Sequence, residues 1–240
     1  MQFLEGDSPR VSEHWTEGPW FGFDLETTGA DPRVDLPVQI AVVKVDPSGN
    51  IDKDVFLVKP GIAISDGARS VHRITDAQID AEGVVLLEAA KRLHSLLSVP
   101  IADGLPIVAM NASFDVTISE RIFEMAGVSK LEWKSLIDPL ILDRKFEKFR
   151  KGSRKLADLC LYYNVSTGEL HQALDDTLAT LLLTKQIILK YPEIAQLTIE
   201  KLFEMQREWH REWANDFDRW KKSKGYQGLT EYDFSWPVAL

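Results

Sequence analysis

The chain lacks the residues and runs that would place it in several protein classes. Cys160 is its single cysteine, which excludes an intramolecular disulfide and a cysteine-based zinc site. Apolar runs such as Val84–Leu87 fall far short of the ~18 residues a membrane span needs. The segment before Trp20 is polar and acidic and has no basic-then-apolar signal pattern. No internal repeat or low-complexity tract is visible. A cytoplasmic protein without membrane contact is the expectation. Hydrophobic content of 45% and charged content of 27% belong to a globular chain rather than a disordered one. Its 240 residues suit one large domain, or one domain with an appendage.

Basic residues are also in short supply, and the net charge is −9. Their distribution is uneven. Between Arg144 and Lys155 lie seven basic residues (Arg144, Lys145, Lys148, Arg150, Lys151, Arg154 and Lys155) and one acid, Glu147. A concentrated basic patch on an acidic protein suits local contact with a polyanion. A solvated basic face is the plainer reading.

Strand character appears at Trp20–Glu26, Val38–Val45 and Ile51–Val58, the last two joined by the turn Asp46-Pro47-Ser48-Gly49. Helical periodicity follows at Val84–Leu97, then a strand at Pro106–Met110 and a helix from Ser113 to Ala126 closed by Gly127. A short strand near Leu136–Ile137 leads to Asp138-Pro139, an N-cap followed by a first-turn proline. Further helices are predicted near Leu140–Phe149, Arg154–Tyr163 and Ala173–Lys190, with one long helix over Gln196–Lys222 and an irregular end from Gly225 to Leu240. A strand meander followed by alternating helix and strand predicts an α/β fold with a mixed sheet and helices on its faces.

Asp24 and Glu26 are alternate residues on the first strand, so their carboxylates share a face. Two carboxylates there are costly to bury unless a cation lies between them. Exposure on an edge strand is the alternative. Asp115 opens the helix after the strand PIVAM, where a carboxylate is ordinary dipole compensation. Asp176 lies five positions after His171, across the start of the next long helix.

Together these pieces form an ordered set: FDLETTG, then NASFD, then H-x4-D. That set resembles the three exonuclease motifs of the DEDDh family of 3′-to-5′ exonucleases, which includes the proofreading epsilon subunit of bacterial DNA polymerase III. The resemblance takes in Val71-His72-Arg73-Ile74-Thr75, where Arg73 replaces the family's usual glycine, and the segments Ile137–Phe146 and Arg154–Val165. It covers about Trp20 to Tyr191, and tails ending in Trp-Pro are similar to those of some stand-alone actinobacterial members. The fold it implies is a ribonuclease-H-like mixed five-stranded sheet with flanking helices, plus a C-terminal helical extension. The corresponding division is an arm at 1–19, the exonuclease domain at 20–191 and the helical extension at 192–240, packed on the domain.

The resemblance implies that Asp24, Glu26, Asp115 and Asp176 are catalytic metal ligands and His171 the general base. The metals would be two divalent cations, Mg²⁺ or Mn²⁺, roughly 3.5–4 Å apart. Hard oxygen ligands suit those ions. Asp24 would bridge both, Glu26 and Asp176 would complete the first, and Asp115 would hold the second, mainly through water. Thr27, Thr28, Val71, His72 and Phe114 match positions that hold the terminal nucleotide, and Lys148, Arg150 and Lys151 would contact phosphates without sequence preference.

The function so implied is release of 5′-mononucleotides from the 3′ ends of single-stranded or frayed DNA, in proofreading or repair. An RNA-directed exonuclease of the same family is the alternative enzyme. A polymerase accessory subunit is the alternative of another class. Two features of the tail remain. Leu202, Met205, Trp209, Trp213, Phe217 and Trp220 form a helical stripe expected to pack on the body. Gln196–Ile199 faintly resembles a clamp-binding peptide, which leaves polymerase or clamp contact open.

Overall fold

Strand β1 (Trp20–Thr27) carries two incompatible faces, and the fold is arranged around keeping them apart. In the computed structural model, which describes residues 14–167 and 172–239, Phe23 and Leu25 are buried on one side. Phe23 stacks there on Trp133, with ring centroids 5.6 Å apart. Gly22, Asp24 and Glu26 alternate with them and face the other way. A β-carbon at Gly22 would lie 2.7 Å from Thr177 Cγ2, so glycine lets a helix press directly onto this face.

Strand β1 runs antiparallel to β2 (Pro37–Val45), which pairs antiparallel with β3 (Ile51–Lys59). After β3 come two short helices, α1 (Asp66–His72) and α2 (Asp76–Glu82), capped by Ser65 and Thr75. A two-residue strand, β4 (Val84–Val85), then pairs parallel with the end of β3. On the other flank of β1, β5 (Ile107–Val108) and β6 (Leu136–Ile137) add in parallel. The sheet order is β4-β3-β2-β1-β5-β6.

One expectation needs correction here. The sheet has six strands and not five, because Val84 and Val85 extend the sheet before helix α3 (Leu86–Ala102) begins. Two β-branched valines favour that pairing over a first helical turn. Helices α1 and α2 were not read from the sequence, although Thr75 and Gln78 stand at capping-box spacing before α2.

Helix α4 (Ser113–Ala126) ends at Gly127 in the left-handed region, φ 66°, as expected of a glycine past a helix end. Asp138 caps α5 (Pro139–Phe146), followed by α6 (Leu156–Tyr162) and α7 (Ala173–Lys190). Helix α7 is the one pressed on Gly22. A 3₁₀ turn at Pro192–Gln196 leads to α8 (Ile199–Ser223), capped by Thr198.

The stripe on α8 divides. Leu202 and Trp209 are buried, whereas Trp220 is 50% exposed. Gln206 penetrates furthest: its side chain accepts from Asp138 N at 2.8 Å and donates to Leu136 O at 2.9 Å. The end of the chain folds back, with Trp236 buried and Ala239 N donating to Thr117 Oγ1 at 2.9 Å. In Gln196–Ile199, Ile199 is buried and the Leu197 carbonyl accepts the Trp15 indole N–H, while Gln196 and Thr198 are exposed. No described helix is long and apolar enough to cross a membrane.

Candidate active site

The C-terminal end of β1 meets the first turns of α4 and α7, and three carboxylates converge there. Oxygens of Asp24, Glu26 and Asp176 all lie within 4.8 Å of one another. Residues 24 and 26 come from the helix-facing side of β1. Asp176 is in the first turn of α7, which Ala173 N ties to Gln39 Oε1 at 3.3 Å, opposite Glu26 in the β1–β2 register. Asp115, in the first turn of α4, accepts from Leu25 N at 3.1 Å and is buried.

Crowding and burial set the electrostatics. Burial, reinforced by Asp115, Glu26 and Asp176, holds Asp24 well above the usual carboxylate range. Burial and then Asp176 push Glu26 up to about 7. Asp115 is raised by burial, and the Leu25 N–H opposes that rise by favouring the charged form. Desolvated carboxylates this close cannot all ionise without a cation. An all-oxygen set of this charge fits hard divalent ions such as Mg²⁺ or Mn²⁺.

A second ring of residues fixes the first. Buried Asp138 accepts from the backbone N–H groups of Asn111 (3.1 Å) and Ala112 (2.9 Å) and from Leu140 N (2.9 Å). Asn111 needs that hold, because its φ of 54° is left-handed. The turn so fixed delivers Asp115. Burial pushes Asp138 up to about 6 in spite of these donors. The sequence showed Asp138 only as an N-cap. Asn111 before a helix start was the available sign of a strained turn. Asp35 was also missed: it accepts from Thr28 Oγ1 at 2.7 Å and from Asp31 N at 2.8 Å, shaping the loop after β1.

The other predicted residues divide. A depression beside Glu26 is lined by Thr27, Val71 and His72. His72 is buried, and its Nδ1 accepts from Ile74 N at 3.0 Å. Its pKa is lowered by burial and then by Arg69, so the ring is neutral with its proton on Nε2. Arg73 follows at φ 58°, capping α1; this left-handed position explains why the resembled motif holds glycine there. Thr28 is buried, and its hydroxyl serves the loop through Asp35 and Leu36 N. Phe114 lines an adjoining cavity with Asn111 and Ser113. His171 lies outside the described residues.

The basic run is not gathered at the acidic cluster as one patch. Arg150 is taken up internally: its side chain is 8% exposed and pairs with buried Asp143 at 3.4 Å, beside Arg154 and Tyr163 OH. It is a structural ion pair and not a presented charge. Lys148 is exposed and pairs with Asp216 at 3.0 Å. Lys151 is exposed.

A sequence profile for a family described as "Exonuclease" matches residues 21–184. The chain is 28% identical over 215 residues to the PolC-type DNA polymerase III of Thermotoga maritima, covering 85% of this chain and 15% of that protein. The corresponding Listeria monocytogenes protein is 31% identical over 169 residues, 69% of this chain and 11% of its own length. The chain therefore spans only a small part of these relatives. Among solved structures, E. coli exonuclease I in complex with a dT13 oligonucleotide superposes with a TM-score of 0.65 at 26% identity, covering 74% of this chain and 42% of that one.

Proposed function

This chain belongs to the exonuclease family as an enzyme of the DEDDh 3′-to-5′ kind, and from that premise we propose that it removes 5′-mononucleotides from single-stranded or frayed DNA ends. The observation that carries this reading is the convergence of Asp24, Glu26 and Asp176 within 4.8 Å, beside an Asp115 fixed to the backbone of β1. Similarity to an exonuclease that binds a dT13 oligonucleotide supports the choice of DNA.

Asp24, Glu26 and Asp176 would hold one divalent cation, and Asp24 with Asp115 a second. Cations so held supply charge neutralisation at the scissile phosphate and acidify the attacking water. The chain's own groups do the rest. His171, in our reading, takes a proton from the attacking water. Val71 and Phe114 would border the terminal nucleotide, and His72 would offer it an Nε2 donor. Thr27 contributes to the same wall.

The test is digestion of 3′-labelled single-stranded DNA, duplex DNA and RNA with Mg²⁺, Mn²⁺ or EDTA. Single-stranded DNA should be shortened fastest, by single nucleotides, and EDTA should stop the reaction. His171→Ala should slow turnover roughly 10²–10⁴-fold while leaving metal binding intact. Metal-independent cleavage, or faster digestion of RNA than of DNA, would overturn the assignment.

A further inference from the structure

The later half of α8 presents flat rings where the earlier half packs. Trp213, Phe217 and Trp220 stack in sequence, with centroids 5.2 and 5.6 Å apart and planes within 16° and 12° of parallel. Tyr226 continues the series at 6.2 Å. Trp220 is 50% and Tyr226 61% exposed. Trp213 and Phe217 are half-buried, whereas Trp220 and Tyr226 stand open, so the ladder ends in an exposed aromatic surface that calls for an occupant.

The surroundings indicate which. Trp213 and Phe217 line a trough of about 440 Å³ with Arg144, Lys145 and Lys148. The Arg144 guanidinium lies 3.5 Å over the Trp213 ring. Arg144 and Trp213 also line a second cavity, of about 480 Å³, together with Phe114. The two cavities share Arg144 and Trp213, and the second reaches Phe114, the neighbour of Asp115 in sequence. The lysines of the trough pair with Glu212 and Asp216 in exposed ion pairs, which phosphates can replace at small cost.

We propose that this ladder is the upstream docking track for a single-stranded nucleic acid, stacking the bases that follow the 3′ terminus. The proposal rests on the exonuclease reading for the position of that terminus. A row of flat rings flanked by the basic side chains of Arg144, Lys145 and Lys148 suits a strand with free base faces and a charged backbone. From Trp213 to Trp220 the helix rises about 10 Å. That length accommodates about three stacked nucleotides at 3.4 Å each. A duplex hides its base faces and gains nothing from the ladder. The track therefore makes the enzyme select single strands and prefer longer ones.

The full chain is tested in EDTA, where the strand is not consumed, against labelled oligothymidylates of about three to about twelve nucleotides. Wild-type affinity should climb with length, and long strands should quench tryptophan fluorescence. The variants are Trp220→Ala alone, at a half-exposed position, and the pair Phe217→Leu with Trp220→Ala. Each should bind the long oligomer about tenfold or more weakly, lose the length dependence and leave short-oligomer binding unchanged. Hydrolysis of the p-nitrophenyl ester of thymidine 5′-monophosphate with Mn²⁺ reads the acidic cluster alone and should be unaffected. Wild-type affinity for long strands in the Trp220→Ala variant overturns the ladder. A wild-type enzyme inert on the ester that keeps its length dependence overturns the exonuclease reading and supports the ladder.

Discussion

Asp24, Glu26 and Asp115 each have a pKa raised by burial, and the sign of that shift makes a prediction about stability. At low pH both folded and unfolded forms of such a group are protonated, so it contributes nothing. As pH rises from the unfolded value of 4.5 toward about 7 for Glu26, the unfolded state releases its proton first and folding becomes less favourable. Above about 7 that penalty is fully present. The metal-free protein should therefore lose melting temperature between about pH 5 and pH 8, and Mg²⁺ or Mn²⁺ should restore it at the upper end. Asp24→Asn removes one of the repelling charges. It should raise the metal-free melting temperature at about pH 8, flatten the pH dependence and abolish nearly all hydrolysis. Calorimetry across the range checks the first two and a nuclease assay the third. A wild-type melting temperature that rises over this window would contradict the electrostatic account.

At the scale of elements, α8 braces the catalytic end of the sheet through the side chain of Gln206. Gln206 is fully buried, and its amide joins Asp138 N and Leu136 O. Asp138 in turn holds the Asn111–Ala112 turn that delivers Asp115. Replacing Gln206 with Leu leaves two backbone groups unpaired in the interior, at about 1–3 kcal/mol each. Gln206→Leu should lower the urea midpoint accordingly and reduce kcat more than KM, because substrate touches neither group. Gln206→Glu should recover the contact with Asp138 N and part of kcat. An unchanged midpoint would show that α8 packs without bracing the site.

This link also shows what the sequence could and could not tell. Five of the six strands were legible because β-branched runs and turns are local patterns, while Val84–Val85 read as helix. The acidic positions stood out only as an ordered set, through the resemblance. Gln206 was not legible, since a lone glutamine in a polar helix carries no sign of a partner 68 residues away. The aromatic stripe was half legible. Its spacing is the same where Trp209 packs and where Trp220 does not, and only the extent of the body beneath α8 separates them.

Across the whole molecule, a chain of net charge −9 has to admit a polyanion to a site built from carboxylates. The basic run from Arg144 to Lys155 suggested a single attracting patch, but the fold uses its members differently. Arg150 and Arg154 neutralise Asp143, which is fully buried. Lys145 and Lys148 line the trough along α8, and Lys151 is exposed. Charge reversal should separate these roles. Arg150→Glu places a second acid against Asp143 and should cost about 3–5 kcal/mol of stability, read as a fall in the denaturant midpoint. Lys148→Glu should leave the midpoint nearly unchanged, since an exposed pair contributes about 0–1 kcal/mol. Its effect belongs on the strand: weaker binding, with a slope of log K against log salt smaller by roughly one phosphate contact. Saturated turnover should change much less than affinity, because a phosphate contact along the track positions the chain without touching the scissile bond. If Lys148→Glu left both affinity and salt slope at wild-type values, the trough would carry no strand and the basic run would serve the fold alone.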